Sequence, residues 1–289
     1  MIDFDWIEPT TIPDTFKAMA DYGEDARLIA GGTWVTLVLK QGLLMPSALI
    51  SLRRVPGLDQ IAYDPADGLT VGALVTHRMM ETHPLVRQYY PMLAETFGVV
   101  ANVRIRNQAT VGGCLCDADY ASDPPATLTA LGASVRLQSA TGERRVLVHD
   151  FITGHYETII KPGELLTAIH IPALPTGGRG IYGKYRTRSH EDRPCVGVAV
   201  VLATADGACS HLSVVIGAVA SRPQRVPAAE RLALGKPITE ALARQIADAY
   251  ADAIDPLDDL RGSGWYRRQM IRVLVRRATL QARDRSATQ

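Results

Sequence analysis

Ala30-Gly31-Gly32-Thr33 and Thr110-Val111-Gly112-Gly113 are the two stretches that decide the interpretation of this 289-residue sequence. Each follows an apolar segment, Arg27–Ile29 in the first case and Val99–Ile105 in the second. Adjacent glycines allow positive φ angles and let a ligand approach the backbone with no Cβ in the way. Successive N–H groups in such a turn can converge on an oxyanion such as phosphate. Either pair alone is more simply a tight turn, but two pairs suggest a pyrophosphate held from both sides.

The residues around these turns resemble a known family. Arg27–Lys40 and Thr110–Leu131 are similar to the two flavin pyrophosphate loops in the FAD-binding medium subunits of molybdenum hydroxylases of the carbon monoxide dehydrogenase and xanthine dehydrogenase types. Further stretches of the family follow in matching order, at Pro162–Thr167, Ile169–Pro172, Tyr182–Arg186 and Trp265–Arg268. Each motif alone is modestly specific, and their shared order makes the resemblance specific.

The resemblance implies an α+β protein in two domains. A two-lobed FAD-binding domain of the PCMH (vanillyl-alcohol-oxidase-like) type is expected over residues 1–174, with lobes at about 1–55 and 56–174. Pro172–Gly180 is the clearest linker in the chain. A C-terminal α+β domain of three antiparallel strands and helices is expected over 175–289.

Local patterns predict the elements inside these domains. Thr76 is a good N-cap, Pro91 interrupts a helical pattern, and Ser122-Asp123 supplies a capping side chain before Pro124-Pro125. The predicted helices are 11–26, 34–41, 76–83, 85–99, 123–132, 227–234, 238–253 and 264–283. The predicted strands are 28–30, 48–52, 58–63, 69–74, 133–139, 144–148, 165–171, 181–187, 196–204 and 211–220.

The resemblance also carries the family's cofactor contacts onto two short segments. The first flavin loop falls on Ile29, Ala30, Gly31, Gly32, Thr33, Trp34, Val35 and Thr36, and the second on Thr110, Val111, Gly112, Gly113 and Cys114. The backbone N–H groups and the Thr33 hydroxyl are expected to face the pyrophosphate oxygens of FAD. Trp34 and Cys114 depart from the residues common in the family, which leaves their own contacts with the flavin open.

Three single residues match further flavin contacts of the family. Asp123 matches an acidic residue that holds the ribose or adenine end of FAD, although it could equally complement the dipole of the helix it precedes. Leu166 matches an apolar contact to the flavin ring. Lys184 matches a lysine near the isoalloxazine, where a cation can stabilise negative charge; its alternative is a solvated strand lysine. No catalytic residue and no metal ligand is expected on this chain.

The function implied is that of an FAD-binding electron-transfer subunit of a multi-subunit molybdenum hydroxylase or dehydrogenase. In the assemblies it resembles, a large molybdopterin-binding subunit oxidises the substrate. Electrons then pass through two [2Fe-2S] clusters of a small subunit to FAD, and from FAD to an external acceptor such as a quinone, NAD, a cytochrome or oxygen. A heterohexamer with two copies of each subunit is expected, and the substrate cannot be named from this chain.

Two alternatives remain open from the residues themselves. A flavin-free scaffold subunit would keep the fold for assembly only, but such a protein has no need of two intact glycine pairs. A free-standing FAD-dependent oxidoreductase would need a catalytic dyad or a covalent flavin His or Cys, and the sequence shows neither. No Rossmann or Walker motif is present. The seven histidines, His77 among them, are dispersed and are interpreted as surface or packing residues.

Composition excludes other classes of function. The net charge is +1, which gives no electrostatic case for nucleic acid or an anionic membrane as the main partner. No apolar run approaches the roughly 20 residues that span a bilayer. Met1–Asp5 lacks the features of a signal peptide, so a cytoplasmic protein is expected. The four cysteines, at positions 114, 116, 195 and 209, match no zinc or iron–sulfur spacing.

Overall fold

The structure, a computed structural model, describes residues 3–287. The first lobe is a parallel sheet with two helices, built from β1 (Asp5–Ile7), α1 (Ile12–Tyr22), β2 (Ala26–Ile29), α2 (Val35–Lys40) and β3 (Ala48–Ser51). The buried strand β3 lies in the middle and pairs in parallel with β1, which was not predicted, and with β2. The helix predicted over 11–26 ends earlier, at Tyr22, because Gly23 leaves the helix with a φ of 57°.

The second lobe is built on an antiparallel sheet. Its five strands are β4 (Ile61–Asp64), β5 (Gly68–Gly72), β6 (Ser134–Ser139), β7 (Gly142–Leu147) and β10 (Leu165–Ile171). Between β7 and β10 the chain forms a separate hairpin of β8 (Ile152–Gly154) and β9 (Glu157–Thr158). The spatial order is β4-β5-β10-β6-β7. Because β10 returns to the centre, the start of this strand and the end of β5 lie side by side.

Short helices connect these strands: α3 (His77–Thr82), α4 (Pro84–Tyr89), α5 (Pro91–Gly98), α6 (Val103–Arg106), α7 (Val111–Asp117), α8 (Pro124–Ala130) and α9 (Val148–Phe151). Pro91 begins α5, which confirms the predicted interruption. The predicted cap of α3 is also confirmed, since the Thr76 hydroxyl accepts a hydrogen bond from the Met79 N–H at 3.1 Å.

The C-terminal part adds a third sheet and a layer of helices. Within the described residues its strands are β11 (Arg179–Tyr185), β12 (Val196–Ala205), β13 (Ala208–Gly217) and β14 (Gln224–Arg225), and its helices are α10 (Pro227–Arg231), α11 (Glu240–Ala253) and α12 (Gly264–Ala287). The three long strands were predicted and are antiparallel; the two-residue β14 is an addition. None of the described helices combines the length and the hydropathy that crossing a bilayer requires.

The strand β12 joins two hydrophobic cores. Its residues alternate between them, because successive side chains of a strand point to opposite faces. Ala199 and Val201 pack with the second lobe, whereas Val198 and Val200 pack with α11 and α12. The predicted domain boundary at 174/175 lies in the segment between β10 and β11 and stays a prediction.

Candidate functional site

A cleft of about 1020 Å³ opens where the two lobes and the C-terminal part meet. Its walls come from the loop after β2, from α7 and the segment behind it, from the start of β10, and from C-terminal loops at 187–193 and 259–261. Small-molecule and cofactor sites usually measure roughly 300–1,000 Å³. The cleft therefore has room for a ligand at the upper end of that range.

The loop after β2 brings backbone N–H groups to this cleft. Gly32 has a φ of 71°, a left-handed conformation that glycine adopts without strain. Across the part of the chain that the structure describes, the N–H groups from Gly31 to Val35 have no hydrogen-bond acceptor, and the next one, of Thr36, donates to the Gly32 carbonyl at 3.0 Å. A run of N–H groups around a left-handed residue forms a concave anion-binding surface. The first predicted loop therefore has the backbone geometry of an anion site.

Gly31 lets this first loop lie directly against the segment that precedes α7. A Cβ at Gly31 would overlap the carbonyl group of Gln108, so the close approach requires glycine. At Gly32, an added Cβ would lie 3.2 Å from the Ile29 Cδ1, and the left-handed backbone would be strained as well. Glycine is therefore required for a different reason at each position. At Gly31 another segment lies too close for a side chain, and at Gly32 the backbone conformation is left-handed.

The second glycine pair lies in the first turn of the helix α7 and not in an open turn, and its contact with FAD stays a prediction. Thr110 caps α7, and its hydroxyl accepts a hydrogen bond from the Gly113 N–H at 3.1 Å. The N–H groups of Val111, Gly112 and Cys114 donate to the carbonyls of Val75, Ala73 and Thr110, each at 2.9 Å. Of the five residues predicted in the second flavin loop, the four from Val111 to Cys114 therefore have N–H groups that already donate within the protein.

Packing explains why position 112 holds glycine. An added Cβ would lie 2.7 Å from the Ala73 Cβ and 2.8 Å from the Ala73 carbonyl oxygen. Ala73 follows β5, so α7 rests with its first turn on the end of that strand. Neither Gly112 nor Gly113 has a positive φ. Gly112 therefore serves the contact of α7 with the end of β5, whereas an added Cβ at Gly113 would lie 2.8 Å from the Thr110 Oγ1.

Asp123 and Lys184 meet in the wall of the cleft. The Lys184 ammonium lies 2.9 Å from the Asp123 Oδ2 and also donates to the Val99 carbonyl at 2.9 Å. The Tyr182 hydroxyl donates to the Asp123 Oδ1 at 2.6 Å. Both side chains of the ion pair are 4% exposed, so the alternative of a solvated strand lysine is wrong. Burial raises the pKa of Asp123, and the neighbouring Lys184 and Tyr182 act against that rise.

This pair also changes the interpretation of the helix start at Asp123. Asp123 precedes α8 but makes no capping hydrogen bond to its N–H groups, so the predicted capping side chain is wrong at this position. Its two oxygens instead bind residues of β11. Asp123 therefore connects the second lobe to the C-terminal sheet, and a contact with the cofactor stays a prediction.

The predicted site residues divide into those that line the cleft and those that do not. The ones that line the cleft are Ala30, Gly31, Gly32, Thr33, Trp34, Val35, Thr110, Gly112, Gly113, Cys114, Asp123, Leu166 and Lys184. Three do not line it: Ile29, which packs below Gly32, Val111, which is buried in the core, and Thr36, which is exposed on α2. The fold thus gathers most of the predicted residues on one cleft, from segments up to about 150 positions apart in the sequence.

Sequence reasoning missed a network of charged residues on the opposite wall. Arg193 forms an ion pair with Asp119 at 2.7 Å. The Tyr120 hydroxyl donates to Asp259 at 2.7 Å and accepts from Arg261 at 2.9 Å. These partners come from distant parts of the chain, so no spacing in the sequence reveals them. Residues 3–287 hold no group of three or more His, Cys, Asp and Glu side chains arranged to bind a metal ion.

Family models match most of the chain. Residues 2–174 match the FAD binding domain in molybdopterin dehydrogenase. Residues 182–282 match the CO dehydrogenase flavoprotein C-terminal domain. The first match contains both glycine pairs, and the second contains Lys184 and the C-terminal part of the cleft.

Individual proteins are similar over nearly their full length. The carbon monoxide dehydrogenase medium chain of Afipia carboxidovorans is 34% identical over 284 residues, which cover 98% of each chain. The nicotine 6-hydroxylase medium subunit of Paenarthrobacter nicotinovorans is 33% identical over 281 residues, 97% of this chain and 98% of that one. Among solved structures, quinoline 2-oxidoreductase from Pseudomonas putida 86 matches with a TM-score of 0.92 at 32% identity, covering 98% of both chains. The Cu,Mo-CO dehydrogenase matches with a TM-score of 0.93 at 33% identity, covering 99% of this chain and 100% of that one.

Proposed function

The chain belongs to the FAD-binding medium subunits of the molybdenum hydroxylases, and from this premise we propose that its cleft binds one FAD without a covalent bond. As a member of that family it is an oxidoreductase subunit, the electron-transfer flavoprotein of a multi-subunit enzyme.

The open N–H groups of the first loop are the observation that carries this proposal. From Gly31 to Val35 they have no acceptor in the described chain, and these five residues line the cleft. A pyrophosphate offers several negatively charged oxygens, each able to accept such hydrogen bonds. The donor set of the first loop therefore fits the central group of FAD. The start of α7 lines the same cleft but does not repeat this set of open N–H groups, and Gln108, which precedes α7, lies against the first loop at Gly31.

The other walls fit the remaining parts of the cofactor. Leu166 is a buried apolar residue at the start of β10 and would contact the flavin ring. Lys184 would place a positive charge beside the ring, and Asp123 and the Val99 carbonyl fix the position of its ammonium group. Thr33 lines the cleft within the run of open N–H groups, where its hydroxyl would add a further hydrogen bond to a phosphate oxygen. Bound FAD supplies the redox chemistry, since it can take up electrons from one partner and pass them to another.

We further propose the composition of the assembly. The partners are a large subunit with a molybdenum–molybdopterin cofactor and a small subunit with [2Fe-2S] clusters, in a cytoplasmic heterohexamer with two copies of each chain. The names of the relatives support this, because they describe medium subunits and a subunit of a dehydrogenase complex. A quinone, NAD, a cytochrome or oxygen is the class of electron acceptor, and the large subunit determines the substrate.

Purification of the tagged chain from its native host at low salt tests the proposal. Acid release and chromatography are expected to give one FAD per chain, and the chain is expected to bring down a large molybdenum protein and a small [2Fe-2S] protein. A colourless chain that still assembles would favour the flavin-free scaffold. FMN in place of FAD would contradict the pyrophosphate assignment. A chain that is isolated alone with full substrate-dependent activity would favour the free-standing oxidoreductase.

A further inference from the structure

Arg261 is a charged residue of the cleft whose side chain is only partly used by the protein. It lies in the turn at 259–262 and lines the cleft together with Tyr120. Its Nη1 donates to the Asp259 Oδ2 at 2.7 Å and to the Tyr120 hydroxyl at 2.9 Å. Its Nε and Nη2 have no acceptor among residues 3–287. One edge of the guanidinium is therefore open to a ligand.

This open edge is within reach of a molecule in the cleft. The side chain of Arg261 is 25% exposed, and neither Nε nor Nη2 is a buried atom, so both are open to solvent. The guanidinium carbon lies 5.7 Å from the centre of the Tyr120 ring. Because Tyr120 also lines the cleft, the guanidinium belongs to the same wall.

The guanidinium is held in place by a carboxylate that is fully used. Asp259 accepts hydrogen bonds from the Tyr120 hydroxyl, from the Nη1 and the backbone N–H of Arg261, and from the Arg267 Nη2. Burial raises the pKa of Asp259, but these hydrogen bonds outweigh burial and lower the pKa to about 2, so the group is charged at neutral pH. A donor that is already fixed loses little conformational entropy when it binds a ligand.

The charges of this cluster favour an anion. One carboxylate, that of Asp259, faces the two guanidinium groups of Arg261 and Arg267. Arg267 is fully buried and donates to the carbonyls of Cys195 and Leu257 as well. The excess positive charge is therefore accessible at Arg261. The Nε and Nη2 of an arginine form a planar fork that matches two oxygens of a phosphate or a carboxylate.

We propose that the Nε and Nη2 of Arg261 bind an oxyanion, a phosphate or carboxylate group, of a ligand in the cleft. The inference rests on the proposed function, since it concerns the same cleft. Two sources offer this chemistry: the pyrophosphate of FAD itself, and an anionic electron acceptor of the nicotinamide dinucleotide class that enters beside bound FAD. Arg261 is the binding residue in this account, and Tyr120 and Asp259 are positioning residues.

Two titrations of full-length variants separate the two sources. Arg261→Gln removes the charge, and Arg261→Lys keeps a charge beside Asp259 without the fork. Arg188→Gln is the matched control, because Arg188 lines the same cleft but is exposed and has one hydrogen bond, at 3.3 Å, to the Leu260 carbonyl. FAD is added to the flavin-free chain and followed by flavin fluorescence, and inorganic pyrophosphate is added to the FAD-loaded chain and followed by calorimetry.

Both Arg261 variants are expected to show a roughly tenfold larger Kd in one of the titrations, which is typical of the loss of a charged hydrogen bond. Arg188→Gln is expected to change either Kd by no more than about threefold, since an exposed charge contributes little. A loss for FAD identifies the cofactor as the source of the oxyanion, and a loss for pyrophosphate identifies the acceptor. Unchanged Kd values in both titrations, or losses as large for Arg188→Gln, would overturn the inference.

A third measurement does not depend on the stability of the variants. In the wild-type chain labelled with ¹⁵N-arginine, the ligand whose affinity changes is expected to shift the Nε signal of Arg261, which is identified by its absence from the spectrum of Arg261→Lys. An Nε signal that neither FAD nor pyrophosphate shifts would also overturn the inference. A wild-type chain that binds no FAD would instead contradict the proposed function, and pyrophosphate added to that flavin-free chain would still test Arg261 through its Nε signal.

Discussion

The first loop, Gly31–Val35, and the start of α7, Thr110–Cys114, share a Gly-Gly pair but differ in what their backbones do. The first loop turns through a left-handed glycine, and its N–H groups have no acceptor among residues 3–287. The second region is helical, and its N–H groups are bonded to Ala73, Val75 and Thr110. Both regions line the cleft, but only the first presents N–H groups that are not already bonded within the described chain.

The difference shows that adjacent glycines can be required for more than one physical reason. At Gly32 the cause is a backbone conformation that other residues adopt only with strain. At Gly31 and Gly112 the cause is a neighbouring segment so close that no Cβ fits. The second region therefore supports the first, since Gln108 lies against Gly31 and Ala73 lies against Gly112. Under the proposed function, the first segment supplies open N–H groups to the ligand, and the second segment lines the same cleft.

The largest effect is expected at the ion pair that connects the second lobe to the C-terminal sheet. Lys184→Met leaves the Asp123 carboxylate buried without its cation, and loss of one partner of a buried pair typically lowers the free energy of unfolding by roughly 3–5 kcal/mol. Urea unfolding of the flavin-free chain measures this loss. Adding Asp123→Asn should recover part of it, because the unpaired charge is then removed. Unchanged stability of Lys184→Met would show that the pair does not anchor this region.

A smaller loss of stability is expected inside the second region itself. Gly112→Val places a side chain against Ala73 and should lower the free energy of unfolding by about 1–3 kcal/mol without any flavin present. Gly142→Val is the matched control, since an added Cβ at Gly142 meets nothing within 4 Å, and it should change stability by roughly 0.5 kcal/mol or less. If Gly112→Val is fully stable but loses FAD, the second region binds the ligand as the first does.

The sequence reveals these two regions but not the difference between them. The sequence predicts a feature correctly where that feature depends on neighbouring residues: Thr76 caps α3, and Pro91 begins α5. The role of Gly112 depends on Ala73, which lies 39 positions earlier and reaches it only through the fold.

The same holds for long-range polar contacts. Asp123 and Lys184 are separated by 61 positions, so nothing in the sequence pairs them. His77 is one of seven dispersed histidines, and only its burial beside the cleft distinguishes it. The resemblance to a family predicts Asp123 and Lys184 as site residues but does not single out His77, and the contacts of all three follow from tertiary structure.

The first loop is expected to respond to substitution in its affinity for FAD. Gly32→Ala and Gly42→Ala form a matched pair, because both positions have a left-handed φ, of 71° and 69°, and an added Cβ at Gly42 meets nothing within 4 Å. Both should lower the free energy of unfolding by about 1 kcal/mol. Gly32→Ala alone should also raise the Kd for FAD about tenfold, which equals about 1.4 kcal/mol. If both variants lose the same affinity for FAD, the loss results from backbone strain in general and not from the position of Gly32 in the first loop.

The smallest effect expected concerns pH and the end of α7. Burial and the neighbouring Asp119 raise the pKa of Asp117 to about 7, and Arg193 opposes them. A carboxyl whose pKa is raised on folding favours the folded state below its unfolded pKa, and this advantage is lost as the pH rises through 7. Asp117→Asn should therefore be about 1 kcal/mol more stable than wild type at pH 8 and equally stable at pH 4. Equal stability of the two chains at pH 8 would contradict the burial of a charge at this end of the second region.

Amide hydrogen exchange of the full-length chain, measured with and without FAD, tests the central claim most directly. Without FAD, the amides of Gly31–Val35 should exchange rapidly, because they have no acceptor, whereas those of Val111–Cys114 should be protected. FAD should slow exchange in the first loop at least about tenfold, as expected for new hydrogen bonds to the pyrophosphate, and should change the second region little. First-loop amides that are already protected without FAD, or that exchange at the same rate with it, would contradict the account.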